Sequence, residues 1–139
     1  MGLGSRPSSV SNLMREWARC TNCSQHKNRK RIVTCPKGAR QEFDRVPILF
    51  VIDRFDPAAA HSGNVYGGQM GKSLCRLLRL SRVSVEFRTS PVTLCPTGYP
   101  IPGDRMEILP APKPRAIKEC SKRLHMEVTI TEPDVIVTF

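Results

Sequence analysis

The chain has 139 residues, of which 40% are hydrophobic, and this composition predicts one globular domain rather than a disordered segment. Lysine and arginine number 22 against 12 aspartate and glutamate residues, so the formal net charge is +10. No run approaches the ~18 apolar residues of a membrane span, and the start, MGLGSRPSS, lacks the apolar core of a signal peptide. We therefore expect an intracellular protein, in the cytoplasm or nucleoid, without a membrane partner.

The apolar residues predict strands and helices that alternate after residue 46. Continuous apolar runs indicate strands buried on both faces, and apolar residues at helical spacing indicate helices. In chain order, we predict a helix over 8–20, a polar and basic loop over 24–46, a strand over 47–53 and a loop over 54–69. A helix over 70–80, a strand over 83–92, an irregular proline-rich segment after residue 94, a helix over 114–128 and a strand that ends at residue 139 follow.

This order of elements predicts an α/β fold, with a parallel sheet between layers of helices. We expect a single domain over residues 1–139. Residues 1–46 would form an N-terminal helix and basic loop, and residues 47–139 would form a β-α-β-α-β core. Ligand sites in such sheets lie at the carboxyl ends of the strands, which here would bring Asp53, the 54–69 loop and Ser90 to one edge.

Seven of the basic residues lie between Arg19 and Arg40, and no acidic residue lies among them. Such a segment attracts a polyanion, most plausibly nucleic acid, although a solubilising surface has the same composition. The candidate nucleic-acid-binding residues are Lys27, Arg29, Lys30, Arg31, Lys37 and Arg40.

Six cysteines in an intracellular chain indicate metal binding or catalysis rather than disulfides. The pair Cys20 and Cys23 has the C-x-x-C spacing that places two sulfurs within reach of one metal centre. Two further thiolates would come from Cys35, Cys75, Cys95 and Cys120, and spacing does not choose among them. Four thiolates suit either an iron–sulfur cluster or zinc.

The segment NVYGGQMGKSLCRLL, residues 64–78, has the rhythm of a phosphate-binding loop but not its pattern. The motif G-x-x-x-x-G-K-[ST] requires a glycine five residues before Gly71, where this chain has Tyr66. A phosphate-binding loop turns directly off a strand. Here the preceding predicted strand ends well over a dozen residues before Gly71. A nucleotide-binding loop is therefore not expected.

Several stretches together resemble the iron–sulfur (family 4) uracil-DNA glycosylases. The C-x-x-C pair of Cys20 and Cys23 is followed by Arg29, six residues after the second cysteine, as in the family. The segment SGNVYGGQMGKSL (62–74) matches the family's base-pocket segment, including its glycines at Gly63, Gly68 and Gly71. TSPVTLCP (89–96) resembles the family's strand end, and PKPRAIKEC resembles its cluster-binding helix.

The resemblance implies a uracil-DNA glycosylase-like fold that binds DNA in base excision repair, as a single strand or with a flipped base. It further implies a [4Fe–4S] cluster, with zinc as the alternative, held by Cys20, Cys23, Cys95 and Cys120. Tyr66 would stack on the flipped base, in a pocket that includes Gly63, His61 and Ser90.

The chain also departs from the family at positions that carry its chemistry. The family's G-E-A-P-G loop is replaced by residues 52–56, IDRFD, in which Asp53 is the candidate catalytic carboxylate. Ser90 replaces an asparagine and is too short to pair with a base edge. The family's C-terminal histidine motif has no counterpart, so the fold is expected to be truncated at the third strand, with its edge covered by a protein partner or the chain being a fragment. Two functions are therefore expected: a working glycosylase, or an inactive glycosylase fold that binds DNA or serves as an assembly subunit.

Overall fold

The structure is a computed structural model that describes residues 9–29, 31–34, 45–53, 57–82, 85–97 and 110–138. Within these ranges the elements are α1 (Val10–Trp17), a 3₁₀ helix (Ser24–Asn28), β1 (Ile48–Ile52), α2 (Pro57–Ser62), α3 (Gln69–Leu80), β2 (Phe87–Pro91), α4 (Pro114–Thr131) and β3 (Val135–Thr138). None of the described helices has both the length and the apolar composition needed to cross a membrane.

The three strands form one parallel sheet in the order β2–β1–β3. β1 has the sequence ILFVI, and four of its five residues are buried, because this strand has a hydrogen-bonded neighbour on each side. In the register, Ile48 pairs with Phe87 of β2 and with Val135 of β3. The predicted α/β class and parallel sheet are thereby confirmed.

The two faces of the sheet pack against different helices. Side chains alternate along a strand, so Arg88 and Ser90 share one face of β2, where both hydrogen-bond to Glu127 of α4. Phe87 and Thr89 lie on the opposite face, where both contact Tyr66. Ile52 belongs to a core cluster with side chains of α2, the segment after it and the start of α3. The sheet therefore lies between a layer containing α4 and a layer containing α2.

Three helices differ from the prediction by more than one residue. α1 is shorter than the predicted 8–20, and Ser9 caps its start by accepting from Asn12 N at 3.2 Å. α2 lies within the segment 54–69 that was predicted as a loop, and it forms because Pro57 supplies the fixed φ of a first helical position before three alanines. α4 begins at Pro114 as predicted and continues to Thr131, where Glu132 ends it in the left-handed conformation at φ 41°. The prediction underestimated α4 because its last turn carries no helix-breaking residue before Pro133.

The third strand was predicted to be buried on both faces, but it exposes apolar side chains, because only one of its edges is paired with a described strand. Val135 is 52% exposed and Ile136 is 48% exposed. Within the described residues, β3 pairs only with β1, so its second edge has no strand beside it. The protein partner expected at this edge stays a prediction.

Candidate metal centre

The four cysteines of the candidate metal centre come from three separate parts of the chain. α1 ends at Trp17, and a turn closed by the hydrogen bond from Cys20 N to Trp17 O (3.0 Å) leads into the C-x-x-C pair. Cys23 is the residue directly before the 3₁₀ helix. Cys95 follows β2, and Cys120 lies in the second turn of α4, both buried.

The thiols of these four cysteines lie close enough to influence each other electrostatically. Burial raises the pKa of the Cys95 thiol, and the nearby thiols of Cys120 and Cys23 raise it further. Burial likewise raises the pKa of the Cys120 thiol, and Cys23 and Cys20 add to the effect. Each buried thiol therefore interacts with two of the others, so the chain gathers all four in one region.

Arg29 joins two of the cysteine-bearing segments. Its Nη1 donates to Cys95 Sγ at 3.2 Å and to the backbone oxygen of Cys20 at 2.6 Å. This hydrogen bond and the guanidinium charge lower the pKa of Cys95, opposing the larger effect of burial. Arg29 therefore stabilises the thiolate form of Cys95, which is the form that binds a metal.

Gln25 links all three segments from the 3₁₀ helix. Its side chain is buried, its Nε2 donates to the backbone oxygen of Cys95 at 3.0 Å, and its Oε1 accepts from the N–H of Lys113 at 3.3 Å. Lys113 is the residue that precedes α4, which carries Cys120. A buried amide that satisfies two backbone groups fixes the relative positions of these segments without a metal.

The four cysteine side chains can be compared with the requirements of two metal groups. Across the described ranges, no three histidine, cysteine, aspartate or glutamate side chains form a group that could hold one metal ion. A tetrahedral zinc site, with Zn–S bonds of about 2.3 Å, brings its sulfurs within roughly 3.8 Å of one another. A four-iron cluster binds one thiolate at each iron and holds its sulfurs farther apart. The donor set, four coupled thiols with an arginine beside them, fits an anionic thiolate-bound cluster.

Replacing Arg29 tests this electrostatic arrangement. We expect Arg29→Met to lower the affinity of the four cysteines for a metal group about 10–100-fold, because residues that hydrogen-bond to metal ligands have effects of this size. The measurement is the rate at which a chelator removes iron from the loaded protein. Arg19→Met removes the same charge from the exposed residue before Cys20 and serves as the control. Equal rates for the two variants would contradict this role for Arg29.

The two remaining cysteines have different positions. Cys35 lies outside the described residues. Cys75 lies in α3 and is half-buried. It provides a matched control for substitutions of the other cysteines.

The predicted base-pocket residues lie on different faces of the sheet. Tyr66 packs its ring against Phe87 and donates its hydroxyl to Thr89 Oγ1 at 2.7 Å. Ser90 is 1% exposed and faces α4, where it donates to Glu127 Oε2 at 2.7 Å. The structure therefore does not bring Tyr66 and Ser90 together around one pocket.

The remaining predicted site residues are the catalytic candidate Asp53 and the pocket candidates His61 and Gly63. Asp53 directly follows β1 and is exposed, and His61 is exposed near the end of α2. Gly63 has φ +72°, a conformation that favours glycine, and its carbonyl accepts from Thr34 N at 3.1 Å. Gly63 therefore has a role in the turn that follows α2.

The predicted nucleic-acid-binding residues are only partly described. Lys30, Lys37 and Arg40 lie outside the described residues. Lys27 and Arg31 are exposed, whereas the Arg29 guanidinium hydrogen-bonds within the cysteine region. Lys27 and Arg31 are therefore the described cations of this set that present their charges to solvent.

The sequence did not predict a buried ion network between β2 and α4. Glu127 Oε1 accepts from Arg88 Nε at 2.6 Å, and Oε2 accepts from Arg123 Nη1 at 2.6 Å. Ser90 lies between them and accepts from Arg123 Nη1 at 2.6 Å. Burial alone would raise the pKa of Glu127, but the charges of Arg123 and Arg88 hold it below its ordinary value.

Arg123 also binds the chain just beyond β2. Its Nη2 donates to the backbone oxygens of Pro91 and Val92, the latter at 3.1 Å. The sequence does contain one signal for this network. Cys120, Arg123 and Glu127 are spaced so that they lie on one face of a helix, and this is the face that α4 buries.

No protein-family model matches this chain, and no curated protein matches it.

Proposed function

We propose that the chain is a uracil-DNA glycosylase-like protein that binds single-stranded DNA and holds a [4Fe–4S] cluster through Cys20, Cys23, Cys95 and Cys120. The observation that carries the proposal is the convergence of segments as far apart as residues 20 and 120. Arg29 donates to Cys95 Sγ and to the backbone oxygen of Cys20, and Gln25 links Cys95 to the start of α4. The four cysteines are the positions that match the family's ligands.

The cluster would supply a rigid cross-link between the three segments. Cys20 and Cys23 are half-buried and Cys95 and Cys120 are buried, so one side of the group would face solvent next to exposed Lys27. An exposed basic surface attracts the phosphates of a nucleic acid through counterion release. We infer that the N-terminal region binds the DNA backbone beside the cluster.

Binding without base excision is the version that the site geometry favours. Excision requires a pocket that holds the flipped base and groups that stabilise the departing charge. Ser90 is engaged with Glu127 and Arg123 on one face of the sheet, and Tyr66 is engaged with Thr89 on the other. Glycosylase activity through Asp53 is the second candidate, because its carboxylate is exposed at the carboxyl end of β1.

The test combines cleavage and retention of one labelled strand. Anaerobically purified protein is incubated with single strands that contain uracil or thymine at one position, and the products are treated with alkali to reveal abasic sites. We expect both strands to be retained equally without cleavage. We also expect the logarithm of the affinity to fall with the logarithm of salt concentration by about 0.7 for each phosphate neutralised.

Matched charge variants locate the binding surface. We expect the double variant Lys27→Gln/Arg31→Gln to reduce the salt slope, and Lys72→Gln/Arg79→Gln, which removes the same charge from exposed positions of α3, to leave it unchanged. Equal effects would contradict an N-terminal binding surface. Cleavage of the uracil strand that disappears in Asp53→Asn would instead identify a working glycosylase.

A further inference from the structure

We infer that Arg123 is the positioning residue of the four-cysteine site, because it ties the helix that carries Cys120 to the segment that carries Cys95. The inference rests on the proposed metal centre for its purpose, and on hydrogen bonds within the chain for its geometry. Arg123 follows Cys120 by three residues on α4, so both lie on the same side of the helix.

The contacts of Arg123 connect the two segments directly. The side chain is completely buried, and its Nη2 donates to the backbone oxygens of Pro91 and Val92. Cys95 lies only three residues beyond Val92. A second connection is a backbone hydrogen bond from Leu94 to the Cys120 thiol. Both cysteines are thus held by the same pair of chain segments.

The rigid fork of a guanidinium suits this task. Arg123 Nη1 binds Glu127 Oε2 and Ser90 Oγ, which fixes the plane of the group, while Nη2 reaches the two carbonyls. A lysine in the same position offers one flexible ammonium and does not reproduce two parallel sets of contacts. Arg123 Nε has no hydrogen-bond partner among the described residues, so the bonded nitrogens alone hold the side chain.

The charge of the network is also suited to an anionic group nearby. Arg88 and Arg123 share one carboxylate, that of Glu127, which leaves one buried positive charge in surplus. A buried charge is costly unless another charge compensates it. The Arg123 charge acts on Cys120, where it opposes the effect of burial on the thiol. Thiolates bound to a metal group supply the negative charge that the network lacks.

Two variants test Arg123 against a closely matched partner. Arg123→Met and Arg88→Met each remove one arginine from Glu127 and leave one buried ion pair, but only the first removes the contacts with Pro91 and Val92. After anaerobic loading with iron and sulfide, we expect Arg123→Met to lose the cluster to a chelator about 10–100-fold faster than wild type. Arg88→Met should differ from wild type by less than about threefold, because the hydrogen bond of Arg88 Nε goes to Glu127 and not to the segment that carries Cys95.

The reduction potential separates positioning from a general loss of stability. We expect Arg123→Met to lower the cluster's potential, because it removes a positive charge that favours the added electron. Arg123→Lys should keep the potential near that of wild type while still losing the cluster faster. Unchanged potential in Arg123→Met, or equal rates of cluster loss in Arg123→Met and Arg88→Met, would overturn the inference.

A measurement on the metal-free chain distinguishes this inference from the proposed function. Iodoacetamide alkylation of Cys95 and Cys120, followed by peptide mass spectrometry, should be about 10-fold faster in Arg123→Met than in Arg88→Met, with circular dichroism confirming folded chains. If wild type binds neither cluster nor zinc and this difference remains, the proposed function is wrong, but the positioning of Cys95 and Cys120 by Arg123 is supported. If Arg123→Met does not fold, Arg123→Lys takes its place. An alkylation rate equal to that of Arg88→Met would then contradict the positioning role of Arg123.

Discussion

Glu127→Gln should lower the free energy of unfolding by about 3–5 kcal/mol, the range found when one partner of a buried ion pair is removed. Glu127 is completely buried, and it alone neutralises Arg88 and Arg123 within their network. The neutral amide would leave both guanidinium groups without a counter-charge. Urea unfolding of the metal-free protein, followed by circular dichroism, measures the change.

Glu119→Gln is the control on the same helix. Glu119 pairs with Lys122 at 3.3 Å, and the lysine side chain is 64% exposed. A surface pair of this kind contributes about 0–1 kcal/mol. A loss below about 1 kcal/mol for Glu127→Gln would mean that the buried network does not hold β2 against α4.

The same carboxylate gives the stability a defined dependence on pH. Arg123 and Arg88 outweigh burial and hold the folded pKa of Glu127 below its ordinary value. Its contribution is therefore complete above the unfolded pKa of about 4.3 and is lost as the pH falls through the lower folded value. Wild type should lose stability across this acidic range more steeply than Glu127→Gln, which has no carboxylate to protonate.

Cys120→Ser should abolish the metal centre, whereas Cys75→Ser should leave it intact. Cys120 is buried among the coupled thiols, and a serine hydroxyl is a poor substitute for a thiolate. Cys75 lies in α3. We expect wild type and Cys75→Ser to take up one cluster per chain, with its brown colour and broad visible absorbance, and Cys120→Ser to stay colourless.

Elemental analysis decides between the two metal groups in the same samples. Zinc in place of iron, again absent from Cys120→Ser, would keep the four-cysteine site and replace the cluster. Loss of the metal in Cys75→Ser, or its retention in Cys120→Ser, would contradict the ligand assignment. Because burial raises the pKa of Cys95 and Cys120, uptake of either metal should strengthen as the pH rises.

The sequence predicted the elements that carry a strong local signal. β1 is apolar throughout because it lies at the centre of the sheet, and the prolines before α4 mark its start. α2 was missed because a six-residue helix leaves too short a period to recognise among turn-forming residues.

The site was predicted less completely, because its side chains depend on long-range packing. Ser90 and Thr89 are adjacent, so the alternation of a strand already requires them to face opposite sides of the sheet. Which side holds α4 is decided by Glu127, 37 residues further along the chain. The network therefore becomes visible only when β2 and α4 are placed together.

The spread of the cysteines along the chain sets the order of events during synthesis. Cys20 and Cys23 leave the ribosome early, whereas Cys120 is made about a hundred residues later, roughly 5–20 s at ordinary elongation rates. During that interval the first two thiols have neither Cys120 nor the helix that carries it beside them. Under the proposed function, cofactor loading is thus a late step of biogenesis, which follows the docking of α4 on the sheet.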